Sequence, residues 1–147
     1  MYRNSEHYPD PTAGAAIARV SGREQKKSRK DGRRKMKFVY ICSPYRAYTG
    51  TTVEDNERRA RRYCRFAAQK EAVPLAPHLI FTQFLNDAVP EEREAGLYLG
   101  RQLLKRCEEM WVFGSHTSEG MAAEIEAANK RGILVRYFNT KCEEVSG

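Results

Sequence analysis

Residues 110–138 read MWVFGSHTSEGMAAEIEAANKRGILVRYF. The stretch opens on an apolar run, Met110 to Phe113, closed by Gly114, the pattern of a strand covered on both faces. A small, hydroxyl-rich loop follows, and Ser118 stands where a helix would be capped. From Ser118 to Arg131 the apolar residues Met121, Ile125 and Ala128 recur at helical spacing. Gly132 then stops the helix, and Ile133 to Phe138 is again strand-like. Strand, helix and strand in succession imply parallel pairing through a right-handed crossover.

The same alternation runs upstream. Phe38 to Cys42, ended by Ser43-Pro44, is a short buried strand. Residues 53–71 place Ala60, Tyr63, Cys64, Ala67 and Ala68 on one face and arginines on the other, an amphipathic helix, and Val73 to Ala76 gives another strand. Pro90 to Cys107 starts with proline and acids and ends on Arg101, Lys105 and Arg106, matching the helix dipole at both ends. Leu97, Leu99, Leu103 and Leu104 lie on this helix. The expected fold is α/β: an open parallel sheet of four to five strands with helices on both faces, flavodoxin-like or Rossmann-like. Ligands in such sheets sit beyond the carboxyl ends of the strands.

Composition bounds the rest. With 147 residues, the chain is expected to form one domain over 37–140, a tail over 141–147 and a disordered extension over 1–36. The net charge of +7 is concentrated in residues 21–37, which hold nine Lys or Arg against Glu24 and Asp31. That basic run is a solvated linker or a contact for phosphates, and it is the sole reason to expect nucleic acid as a partner. Within 38–147 fifteen basic side chains balance fifteen acidic ones, although Arg58, Arg59, Arg61, Arg62 and Arg65 could form a local patch. No apolar run is long enough for a membrane span and the first residues lack the order of a signal peptide, so a cytoplasmic protein without membrane contact is expected. Cys42, Cys64, Cys107 and Cys142 have neither zinc-ligand spacing nor a disulfide pattern. They read as reduced thiols, three of them in the core, and no metal or cofactor is expected.

The candidate site residues follow the strands. Gly114 to Gly120, leading into a helix N-terminus, suits an anion, although Ser118 would equally serve as a plain cap. Taking Met121 as zero at about 100° per residue, Ile125 and Ala128 fall within roughly 40°, Glu124 about 60° away, and Glu119 and Glu126 near the far side. Glu124 thus borders the buried stripe, the place for a nucleophile or general base, or else for a boundary glutamate paired with an arginine. His78, at a strand end, could bind phosphate or a base or be held structurally, and Arg46 suits bidentate phosphate recognition.

Tyr40-Ile-Cys-Ser-Pro-Tyr-Arg46, Pro77-His78 and Ser118-Glu-Gly-Met-Ala-Ala-Glu124 together resemble the nucleoside 2-deoxyribosyltransferase superfamily, which includes the 2'-deoxynucleoside 5'-phosphate N-hydrolases. The likeness covers about residues 37–138 and is nearest to a small phage- and bacteria-associated branch. It implies cleavage of an N-glycosidic bond, by hydrolysis or transfer, with Glu124 as nucleophile and Tyr40 holding its carboxylate. It also implies substrate binding by Ser43, Arg46, His78, Ser118, Gly120 and Met121, with Ser118 favouring a nucleotide over a nucleoside. A homodimer or higher homo-oligomer is expected, since the superfamily completes its sites across subunits and residues 77–85, PHLIFTQFL, carry more apolar surface than a loop needs. In one respect the chain departs from the pattern. The superfamily places an aspartate eight residues before the acid that precedes the third strand, here Glu108, and Gly100 stands there instead. Either Asp87, Glu91 or Glu94 substitutes, or the domain is a non-catalytic nucleotide-binding module that senses or sequesters its ligand.

Overall fold

The computed structural model describes residues 35–147; the basic run as far as residue 34 and the other expectations for residues 1–34 lie outside them. Five strands form one sheet in the order β2-β1-β3-β4-β5: β1 (Phe38–Cys42), β2 (Val73–Leu75), β3 (Glu109–Phe113), β4 (Leu134–Phe138) and β5 (Glu144–Val145). The first four are mutually parallel, and β5 pairs antiparallel with β4, Tyr137 opposite Val145. The α/β sheet read from the alternation is therefore present. Its fifth strand lies within the residues expected to be a tail, too short to carry a periodicity of its own.

Helices cover both faces. On one, α1 (Val53–Gln69) buries Ala60, Tyr63 and Ala67 against Val39, Ile41, Phe113 and Phe138, with Tyr63 stacked on Phe113 at 4.2 Å. Its start is fixed by Thr52 and Asp55, which exchange side-chain and backbone hydrogen bonds as a capping box. On the other face, α3 (Pro90–Leu104) and α4 (Glu119–Lys130) pack Leu104, Met121 and Ala128 against Tyr40, Cys42, Met110 and Val112. Strand alternation divides β1 between the faces: Tyr40 and Cys42 point toward α3 and α4, Val39 and Ile41 toward α1.

Residues 77–85, expected as an apolar segment without regular structure, contain a short helix, α2 (Pro77–Ile80), and a 3-10 turn, Phe81–Gln83. Proline at the first helical position starts α2, and a helix this short is invisible to a 3.6-residue period. Cys42 and Cys107 are buried, whereas Cys64 and Cys142 are half-buried against the core, one fewer core thiol than expected. The α1 arginines divide their charge: Arg58 pairs with Asp55, Arg61 lies 3.9 Å from Glu57, and Arg62 donates to the Thr140 carbonyl.

Glu109, at the start of β3, is buried and accepts from Lys37 Nζ at 2.6 Å and Trp111 Nε1 at 2.9 Å, with Arg136 Nη1 at 3.5 Å. These donors outweigh its burial and hold its carboxyl below the usual range. Glu109→Gln is expected to cost about 1–2 kcal/mol at neutral pH. Because the folded value is depressed, the wild-type advantage is present above the ordinary glutamate value of 4.5 and is lost as pH falls through the folded one. Urea titrations of both proteins at pH 7 and pH 3 check this; a gap that persists unchanged at pH 3 would contradict it.

Candidate functional site

The sheet order reverses direction between β1 and β3, and the residues after these two strands meet at that switch point. Asn56, buried on α1, donates its amide to the carbonyls of Tyr45 (3.1 Å) and Arg46 (2.9 Å), pinning the loop after β1. Tyr48 of that loop stacks on His116 of the loop after β3 at 3.8 Å. Further out, Tyr45 stacks on His78 at 5.1 Å, and Arg46 Nε reaches Asp87 Oδ2 at 3.1 Å. The Arg46 and Asp87 side chains are 55% and 34% exposed, so the pair contributes at most about 1 kcal/mol to stability. Its use is positional, since it brings two loops to one rim.

Between these loops and the helices lies a cavity of about 390 Å³. Tyr40, Arg46, His78, Ser118, Gly120, Met121 and Glu124 all line it. Ser43 does not. Its side chain is buried on the α1 side of the sheet and lines a separate void of about 40 Å³, because it follows Cys42 on the alternating strand and so points the opposite way. Of the acids considered in place of Gly100, Asp87 lines the cavity and Glu91 and Glu94 do not; Glu92, which sequence reasoning passed over, does. Glu119, placed on the far side by the helical wheel, reaches the rim because it sits at the helix end, while Glu126 is exposed and pairs with Lys130 at 3.0 Å.

Ser118 is the α4 N-cap, its Oγ accepting from the Met121 amide at 3.2 Å. The cap and cavity-wall readings therefore hold together: the hydroxyl retains its own proton to donate. The amides of Glu119 and Gly120 open into the first turn, where a helix has no internal acceptors. A Cβ at Gly120 would meet only Ser118 Oγ, at 3.9 Å, so the glycine keeps space open in front of the helix end.

Glu124 lies one turn further in. Burial pushes its carboxyl up to about 7, against the opposing effect of hydrogen bonds from the Tyr40 hydroxyl and the Cys42 thiol. Both donors are raised well above their ordinary values, first by burial and then by the carboxylate beside them. No arginine among the described residues pairs with Glu124. His78 is held down by burial, with Asp87 and a hydrogen bond to the Ser43 backbone acting the other way, and so favours the neutral ring. Among the described residues no group of three or more His, Cys, Asp or Glu side chains is placed to hold a metal ion. No helix among them is long and apolar enough to cross a membrane.

Gly100 closes the back of the cavity. A Cβ built on it would lie 3.4 Å from Tyr40 Oη and 3.8 Å from Pro77 Cβ and Cγ, in van der Waals contact with both residues. Gly100→Ala is expected to leave stability within about 1 kcal/mol, helix propensity gained offsetting the crowding. Because the added methyl meets the hydroxyl only in van der Waals contact, Tyr40 should keep its place and the Glu124 carboxyl its value of about 7. A carbon-13 titration of Glu124 in both proteins checks this; a midpoint raised by a unit or more would show that the hydroxyl has been displaced.

The sheet and its switch-point cavity define a deoxyribosyltransferase-like α/β fold. The solved structure of a 2-deoxyribosyltransferase from the psychrotolerant bacterium Bacillus psychrosaccharolyticus superposes with a TM-score of 0.56 at 15% identity, over 74% of this chain and 76% of that one. Within this fold class, the chain belongs to the family described as Domain of unknown function (DUF7768), whose model matches residues 37–138. No curated protein matches the chain.

Proposed function

We propose that the domain cleaves the N-glycosidic bond of a nucleoside 5'-phosphate, by hydrolysis or by deoxyribosyl transfer, with Glu124 as nucleophile. The observation that carries this reading is a desolvated carboxylate in the cavity wall, beside Tyr40, that pairs with no cation among the described residues. A carboxylate kept for structure would be expected to have an arginine or lysine partner. The deoxyribosyltransferase-like fold supports the same chemistry.

In the proposed reaction one Glu124 oxygen forms a bond to C1' as the C1'–N bond breaks, its electron pair leaving with the base, which takes up a proton. Water or a second base then attacks C1' and releases the carboxylate, with net retention. Tyr40 orients the carboxylate. Ser118, the first amides of α4 and Arg46 would receive the 5'-phosphate, for which a helix N-terminus and a guanidinium are suited. Met121 and His78 would wall the ligand. Ser43 is not proposed to touch it, as its side chain lies behind the sheet. Besides Glu124, the acids that line the cavity are Asp87, Glu92 and Glu119, the candidates for the role that an acid at position 100 would otherwise perform toward the leaving base.

Gly100 supports a second reading, a nucleotide-binding module without turnover, because a glycine supplies no acidic group at this point of the cavity wall. The deciding experiment incubates the purified protein with ribo- and deoxyribonucleoside 5'-phosphates and the parent nucleosides and separates free base by chromatography. Base release lost in Glu124→Gln supports the enzyme. A raised melting temperature with a nucleotide, and no base from any substrate, supports the binding module.

A further inference from the structure

On the α1 side of the sheet, the loops after β1 and β3 border the void of about 40 Å³ that Ser43 lines. Ser43 is 2% exposed, and its Oγ has no hydrogen-bond partner among the described residues. A buried hydroxyl left unpaired costs free energy, so one that faces a void marks the place of an occupant. Arg59 and Tyr63 of α1 line the same void, and no Asp or Glu of the described residues does. Arg59 has no acidic partner among the described residues, whereas its neighbours Arg58 and Arg61 have one each. Burial raises the Tyr63 hydroxyl, and the charges of Arg62 and Arg59 act to lower it, so both cations bear on this wall. Tyr48 and His116, whose rings stack at 3.8 Å, also line the void and join the two loops.

We propose that this void is a site for a small inorganic anion, chloride or a single tetrahedral oxyanion such as phosphate, held by the Ser43 hydroxyl and the Arg59 guanidinium. A buried water needs about 10–15 Å³, so the space exceeds one water and is too small for an organic ligand. Water would satisfy Ser43 but would leave Arg59 without a counter-charge in a wall that has no acid; an anion answers both. The site is separate from the main cavity and does not depend on Glu124 being a nucleophile. It bears on that cavity through the chain, because Ser43 shares a loop with Arg46, and Ser115, also in the void wall, shares one with Ser118. A bound anion thus ties together the two loops that bring Arg46 and Ser118 to the cavity.

The test follows the melting temperature of the full chain at constant ionic strength, with chloride or phosphate replacing gluconate, an anion too large for the void, in steps. Wild type should gain about 5 °C or more at saturation. Ser43→Ala and Arg59→Gln should each raise the half-saturating concentration about tenfold, since each removes one of the two donors. Arg46→Gln, altered in the main cavity, should leave it within about threefold of wild type. Cooperative melts in gluconate alone show that every variant folds, and the anion that saturates at the lower concentration identifies the occupant. A gain that neither anion produces, or that disappears in Arg46→Gln, overturns the inference, as does a half-saturating concentration that moves by less than about threefold in Ser43→Ala or Arg59→Gln. Base release plays no part in the readout, so a failure of the proposed function and a failure of this site are told apart.

Discussion

Glu124→Gln should reduce base release by about 10⁴-fold or more, while nucleotide binding stays within about threefold of wild type. Glutamine keeps the shape of the side chain and can still bond Tyr40 and Cys42, but its amide oxygen cannot form and later release a glycosyl ester. Binding survives because the proposed phosphate contacts come from Ser118, the start of α4 and Arg46, which the substitution leaves in place. Wild-type activity should rise with pH through about 7, the value to which burial raises the carboxyl, because only the ionised form attacks. Single-turnover base release and calorimetric titration with the same nucleotide measure the two halves separately. Wild-type rates from the glutamine variant would remove Glu124 from the mechanism.

The same substitution should stabilise the protein above neutrality. The Glu124 carboxyl is raised from 4.5 to about 7 in the folded chain. The native state therefore holds a proton that the unfolded state has released between these values, and stability falls as pH rises across that window. At pH 8 the buried charge costs on the order of 3 kcal/mol, which Glu124→Gln recovers. Near pH 4 both proteins carry a neutral side chain and the difference should vanish. Urea titrations of the two proteins at pH 4, 6 and 8 trace the gap; a gap constant across the range, or of opposite sign, would mean that the carboxylate is not desolvated. Glu109 behaves in the reverse sense, its depressed carboxyl supporting the fold at neutral pH and losing that contribution in acid. Two glutamates in one domain thus differ by partner: Glu109 is buried beside cations, Glu124 beside a hydroxyl and a thiol.

A site that costs folding free energy without stabilising packing is the usual mark of function. Here the cost is localised at one carboxylate, and its surroundings explain why it is tolerated. Tyr40 and Glu124 sit on β1 and α4, which pack together in the core on one face of the sheet, rather than on a loop. The rim is built differently. Tyr45 on His78 of α2 and Arg46 with Asp87 are contacts of the loop after β1 with the segments beyond β2, partly exposed and individually weak, suited to opening for a ligand.

Much of this was written in the sequence as periodicity. Apolar runs such as Phe38 to Cys42 and Met110 to Phe113 specify buried strands, and the 3.6-residue recurrence of Met121, Ile125 and Ala128 specifies α4, because local geometry alone decides which side chains share a face. The same wheel put Glu124 at the edge of the buried stripe, and the capping serine and the glycine after it marked the helix start that faces the cavity. Strand alternation would also have turned Ser43 away from Tyr40 and Cys42, had the period of two been applied beyond the strand's end.

Tertiary structure decided what separation in sequence conceals. No local rule brings Cys42 to Glu124, Asp87 to Arg46 or the Tyr40 hydroxyl to within 3.4 Å of a Cβ at Gly100, since each contact needs the packing of elements distant along the chain. The α2 helix and β5 were equally hidden, being shorter than any period that could announce them and held by the neighbours they pack against. The sequence alone determined the longer elements and the face each buries; only their packing around the switch point set the Glu124 carboxylate beside the Tyr40 hydroxyl in the cavity wall, where burial raises its carboxyl.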